Sequence, residues 1–98
     1  MYGTVARMQL KPGAESKLQD YMRQFESLNV PGYVSSTVYR LDGAPNELYL
    51  AVVFENKDAY FANANNPEQD ARYRQMRDLL TADPEWHDGE VVYHRTAS

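Results

Sequence analysis

Cysteine is absent from the 98 residues, which excludes disulfides and thiol nucleophiles and suits a reducing compartment. Basic runs are absent too. Ten Lys and Arg against fourteen Asp and Glu give a formal net charge of −4, with no cationic stripe to follow a phosphate backbone, so nucleic acid is not an expected partner. The longest apolar run, "LYLAVVF", falls far short of the roughly 20 residues that cross a bilayer. No basic stretch followed by an apolar one opens the chain as a secretion signal would. These absences predict a cytoplasmic protein with no membrane partner. One domain, residues 1–98, is expected, because 98 residues can bury a core but fall below the size at which domains divide.

What is present alternates between strand and helix patterns. "YGTVARMQL" sets Ala6, Met8 and Leu10 on one side and Arg7 and Gln9 on the other, the period of a strand with one wetter face. "KPG" breaks it. From Ala14 the apolar positions Leu18, Tyr21, Met22, Phe25 and Leu28 make one helical stripe, ending before Pro31-Gly32. "YVSSTVYRL" and "ELYLAVVFE", separated by the loop "DGAPN", read as a hairpin. A short helix follows from Lys57 to about Ala64. Asn66-Pro67-Glu68-Gln69 then offers a cap, a proline at the first helical position and a capping-box glutamine. The helix it opens runs to about Ala82, because Asp83 precedes Pro84 and such residues avoid the α region. "GEVVYHR", Gly89 to Arg95, reads as the last strand.

The order is β-α-β-β-α-β, an α+β, ferredoxin-like arrangement with an antiparallel sheet and helices on one face. On the third strand Leu48, Leu50, Val52 and Phe54 point one way while Tyr49, Ala51 and Val53 point the other. Both faces therefore ask for cover, and the helices supply it to only one. The same face of a second copy is the simplest cover for the other, which predicts a homodimer.

Three stretches, "VARMQLKPG", "VPGYVSSTVYR" and "VVFENKDAYFANANNPE", resemble the antibiotic biosynthesis monooxygenase family, and the resemblance covers nearly all of the chain. It implies a dimeric α/β barrel with pockets between each subunit's helices and its sheet. Haem-degrading relatives use an Asn, a Trp and an iron-binding His at positions that here hold Ala6, Asn63 and Arg72, so the resemblance does not extend to haem. Relatives that oxidise polyketide quinols without a cofactor use an Asn and a Trp on the third strand and a Tyr on the short helix. The corresponding residues are Leu50, Phe54 and Tyr60, of which the tyrosine is retained. No cofactor is expected.

Candidate catalytic residues are Tyr60, His94 and Arg72. Arg72 falls beside Met76 and Leu79 on the apolar stripe of its helix, where a guanidinium either snorkels to water or holds an anionic group at the mouth of a cleft. Tyr60 can donate a hydrogen bond to a developing oxyanion, or simply pack. His94, placed on the last strand with Glu90 and Val92, is a base for an acidic phenol if that face lies under the helices, and otherwise a solvated imidazole. Asn63, Tyr73, Phe54, Leu50 and Trp86 complete the candidate ligand-binding set, with Trp86 read chiefly as a plug sealing the helix end. A metal site on His87 and His94 lacks a third ligand at recognised spacing.

Two functions stay open. One is a monooxygenase acting on a small aromatic or polyketide-like substrate with no bound cofactor. The other is a non-catalytic module that binds a small aromatic or acidic metabolite, or works through its dimer surface.

Overall fold

The computed structural model describes residues 1–97. Its elements are β1 (Tyr2–Gln9), α1 (Glu15–Arg23), β2 (Tyr33–Leu41), β3 (Ala44–Phe54), α2 (Lys57–Ala64), α3 (Pro67–Arg77) and β4 (Glu85–Glu90), with a 3-10 turn at Gln24–Ser27. The four strands form one antiparallel sheet in the order β2-β3-β1-β4. That is the ferredoxin-like α+β arrangement, with β1 and β3 central and β2 and β4 at the edges.

The register sorts the side chains into two layers. Thr4, Ala6 and Met8 stand opposite Val52, Leu50 and Leu48 and share the helix-covered face, because directly paired antiparallel residues project together. The core joins Met8, Leu10 and Leu48 of the sheet to Leu18 and Tyr21 of α1, Met76 of α3, and Leu80. On the reverse face Val5 is 47 % and Tyr39 59 % exposed. Gly3 sits where β1 and β3 press closest, since a Cβ there would run into the Val52 carbonyl.

Several expected boundaries move. The hairpin loop is shorter than expected: β3 begins at Ala44, leaving Asp42-Gly43 as the turn, with Gly43 at φ 77°, a value glycine adopts at no steric cost. The mismatch is absorbed as a slip between Arg40↔Leu48 and Leu41↔Ala44, and Pro45 tolerates the resulting bulge because it has no N–H to pair. The first helix is α-helical only to Arg23 and tightens into the 3-10 turn through Phe25.

The third helix stops at Arg77, not near Ala82. Here β1 competes with the helix for backbone: Lys11 N–H donates to the Leu79 carbonyl at 2.9 Å and Thr81 N–H to the Gln9 carbonyl at 2.8 Å, with Leu10 and Leu80 bridged. At the helix start Asn66 Oδ1 does accept from Glu68 N–H at 2.8 Å, as a cap should. Gln69 does not close a capping box, because its Oε1 accepts from Arg72 Nε at 3.3 Å.

The largest correction concerns the last strand, which is Glu85–Glu90 and not Gly89 to Arg95. Register is the reason: Tyr2 pairs with Glu90 and Val91 N–H reaches the Met1 carbonyl, so Val92 and beyond lie past the end of β1. Trp86 is consequently a strand residue, opposite Ala6, and at 44 % exposure it is no sealed plug. His94 lies outside any strand and is exposed.

Candidate functional site

The helix-covered face carries two polar clusters. The first lies where β1 starts and β3 ends. Short helix α2, capped by Asn56 Oδ1 accepting from Ala59 N–H at 2.8 Å, projects Tyr60 onto the sheet. Its ring meets Tyr2 at 5.3 Å, Phe54 at 5.7 Å and Phe61 at 5.1 Å, all edge-on, the geometry that aromatic quadrupoles favour. The Tyr60 hydroxyl donates to Asp88 Oδ1 on β4 at 2.8 Å. Burial, and secondarily the Asp88 carboxylate, push the phenol up to about 12, while the neighbouring Thr4 hydroxyl pulls the other way. Thr4 is only 5 % exposed, and its Oγ1 lies close enough to the Tyr60 oxygen to lower that phenol without a hydrogen bond of full geometry to any described residue. Buried hydroxyls are normally satisfied.

The second cluster is built by α3. Arg72 is half-buried, with its guanidinium 5.7 Å from the Phe25 ring centre, a stacked cation–π arrangement. On the opposite side of the helix Arg74 pairs with Asp70 at 2.9 Å in solvent. Along the same helix Tyr73 meets Trp86 of β4 at 6.1 Å. Leu50 packs half-buried against the core, and Asn63 is half-buried on α2.

Candidate residues therefore assemble in pairs: Tyr60 with Phe54, Tyr73 with Trp86, and Arg72 with Phe25. His94 joins none of these pairs. Two grooves open elsewhere. One, of about 200 Å³, runs between α1 and the β2–β3 hairpin over Leu18, Met22, Val38 and Leu48, with Glu15 and Arg40 at its rim. The other, about 260 Å³, lies between α1 and α3. Neither is lined by Tyr60 or Arg72. No three potential metal-ligating side chains converge among the described residues.

Asp88, Thr4 and Phe25 are site residues that sequence reasoning passed over. Asp88 reads as half of an Asp-Gly turn, and only the register of β4 puts it beside Tyr60. Thr4 did leave a signal, as the polar residue in phase with Ala6, Met8 and Leu10 on an otherwise apolar strand face.

The antibiotic biosynthesis monooxygenase family model matches residues 1–75. The chain belongs to this family. Family membership spans everything from β1 through most of α3, so the Tyr60 cage and Arg72 lie inside the matched region, whereas Trp86 and Asp88 lie outside it. Solved structures extend the likeness to the whole fold. SnoaB, a cofactor-independent oxygenase of Streptomyces nogalater, is 20 % identical, with 95 % of this chain and 94 % of SnoaB covered at a TM-score of 0.79. A Chloroflexus aurantiacus protein named for the same family is 23 % identical, covering 97 % and 96 % at 0.78. A Bordetella bronchiseptica protein, also named for it, is 18 % identical, covering 94 % and 97 % at 0.79. No curated protein matches the chain in sequence. No described helix is long and apolar enough to cross a membrane.

Proposed function

We propose that the protein is a homodimeric, cofactor-independent monooxygenase acting on a small aromatic or polyketide-like substrate, with Tyr60 as the hydrogen-bond donor to the reacting oxygen. The observation that carries this reading is the Tyr60 hydroxyl, held at 2.8 Å by Asp88 at the edge of a cage of aromatic rings. A phenol pushed up to about 12 keeps its proton at neutral pH, and by turning that one proton from Asp88 to the substrate it becomes the donor to an oxyanion that forms there. An electron-rich phenolate or enolate can itself reduce dioxygen, so the protein's task is to form that anion in a dry aromatic setting.

Arg72 supplies a cation at the other cluster, suited to a carboxylate or second oxyanion. Phe54, Tyr73, Leu50, Asn63 and Trp86 supply walls and orientation. His94 is exposed and beyond β4, so the proposed chemistry omits it. The homodimer follows from the uncovered sheet face around Val5 and Tyr39, whose apolar area a second copy would bury. A cytoplasmic setting belongs to the same reading.

Leu50 and Phe54, at positions where quinol-oxidising relatives carry polar and indole groups, favour a second reading, in which the site binds an aromatic without turnover. Oxygen uptake separates the two. With a panel of naphthohydroquinones and anthrones, at least one compound should drive enzyme-dependent oxygen consumption, and Tyr60→Phe should lower kcat/KM by about 100-fold, the scale of losing one oxyanion donor. Saturable binding without oxygen uptake would establish the second reading instead.

A further inference from the structure

From the groove between α1 and the β2–β3 hairpin we infer a second binding site, for a free apolar α-amino acid. Its carboxylate meets Arg40, its ammonium meets Glu15 and its side chain fills the groove. The site goes beyond the monooxygenase reading and lies at the other end of the helix-covered face. Tyr60 stands over Tyr2, at the start of β1, whereas the groove opens over Leu10, just past the end of that strand, and neither Tyr60 nor Arg72 lines it.

Strand alternation brings Arg40 to this place. Arg40 pairs with Leu48 and Val38 with Leu50, so the arginine stem shares the helix-covered face with core residues. A guanidinium in phase with a core needs an anion above it, and the one it reaches is Glu15, the first residue of α1. Glu15 is in turn in phase with Leu18 and Met22, three and seven positions along its helix. Between the two charges lies an apolar floor. Leu10, Leu18 and Leu48 are each 4 % exposed, and Met22 and Val38 stand half-buried beside them. The groove holds about 200 Å³, room for about seven carbon-sized groups at the roughly 30 Å³ that a water takes in the liquid. That is the size of a phenylalanine side chain.

Charge decides the head group. Arg40 and Glu15 sum to zero, and among the described residues no other charged side chain lines the groove. A plain carboxylate would pair with Arg40 but stand against Glu15, and a plain amine would do the reverse. A zwitterion satisfies both, exchanging one ion pair for two, and the guanidinium fork can take its carboxylate in two parallel hydrogen bonds. The existing pair yields easily. Its side chains are 50 % and 48 % exposed, a setting in which an ion pair contributes little, whereas the apolar side chain gains by leaving water for the leucine floor.

The test is isothermal titration of the full chain with L-phenylalanine, beside phenylacetate, phenethylamine and glycine, which lack the ammonium, the carboxylate and the apolar body in turn. L-Phenylalanine should saturate in the millimolar range or below, the affinity within reach of a ligand of its size. Each of the other three should bind at least tenfold more weakly. Arg40→Gln should weaken L-phenylalanine at least tenfold and erase its lead over phenethylamine, while Glu15→Gln should do the same and erase its lead over phenylacetate. Should either variant fail to fold by circular dichroism, the four ligands on the wild type decide alone. No saturation by L-phenylalanine, equal binding of phenylacetate or phenethylamine to the wild type, or unaltered affinity in both variants overturns the inference. An affinity that falls as protein concentration and sedimentation coefficient rise would seat a second copy in the groove, and overturns it too.

Discussion

The two faces of the sheet are made by the same strands and have opposite fates. On one, Ala6, Met8 and Leu48 are 0 %, 1 % and 4 % exposed under the helices. On the other, Val5 and Tyr39 stay open around a charged centre in which Arg7 pairs with both Glu47 and Glu85. Alternation along a strand commits every second residue to each side, but it does not say what arrives to cover them. The helices cover the centre of the first side because α1 and α3 bring Leu18, Tyr21 and Met76 to it, and leave its β4 edge open at Trp86. The second side keeps its apolar residues without cover, and the ion pairs at Arg7 make a polar centre that a matching copy would have to accommodate. The carboxylates beside Arg7 raise its pKa further, so it stays cationic at every accessible pH.

Substitutions can separate the faces. Met8→Ala should cost about 2–5 kcal/mol, because it removes a buried side chain and leaves a cavity; urea unfolding measures it, and a loss under about 1 kcal/mol would mean that the covered face is not close-packed. Tyr39→Asp should leave monomer stability nearly unchanged and convert the dimer to a monomer at micromolar concentration, because an unpaired carboxylate would have to be buried in the interface. Sedimentation velocity reads it directly, and an unaltered dimer would place the interface elsewhere. A wild type already monomeric would dispose of the homodimer altogether.

A smaller effect comes from pH. Burial first, and for Tyr60 also Asp88, raises the phenols of Tyr21 and Tyr60 from the ordinary value of 10 to about 12. The folded state therefore holds protons that the unfolded chain releases, and the associated stability is present below pH 10 and lost as pH rises through about 12. Thermal melts across that window should fall less steeply for Tyr60→Phe and Tyr21→Phe than for the wild type. Equal slopes would show that neither phenol titrates abnormally.

Element type and order were legible in the sequence because periodicity is local. The Leu18, Tyr21, Met22 and Phe25 stripe and the alternation through Leu48 to Phe54 need no knowledge of distant residues, and Asn66-Pro67 marks its helix start by side-chain chemistry alone. The site was legible only in fragments. Tyr60 and Phe54 do meet, as do Tyr73 and Trp86, but each pair spans elements whose relative placement depends on register. Asp88 could not be found from the chain, since "HDGE" carries both a turn signal and a strand, and the choice between them depends on β1 having free backbone from Tyr2 to Arg7.

Composition, hydrophobic period and capping chemistry, all properties of neighbours along the chain, were enough by themselves to determine a β-α-β-β-α-β chain with a two-sided third strand. Where α3 stops, which six residues form the last strand, and which acid faces Tyr60 were decided only by tertiary structure. The physical reason is shared: each depends on a backbone hydrogen bond or pairing register between segments about 70 to 88 positions apart, such as Lys11 with Leu79 and Tyr2 with Glu90, and no local pattern encodes which distant partner will claim a donor.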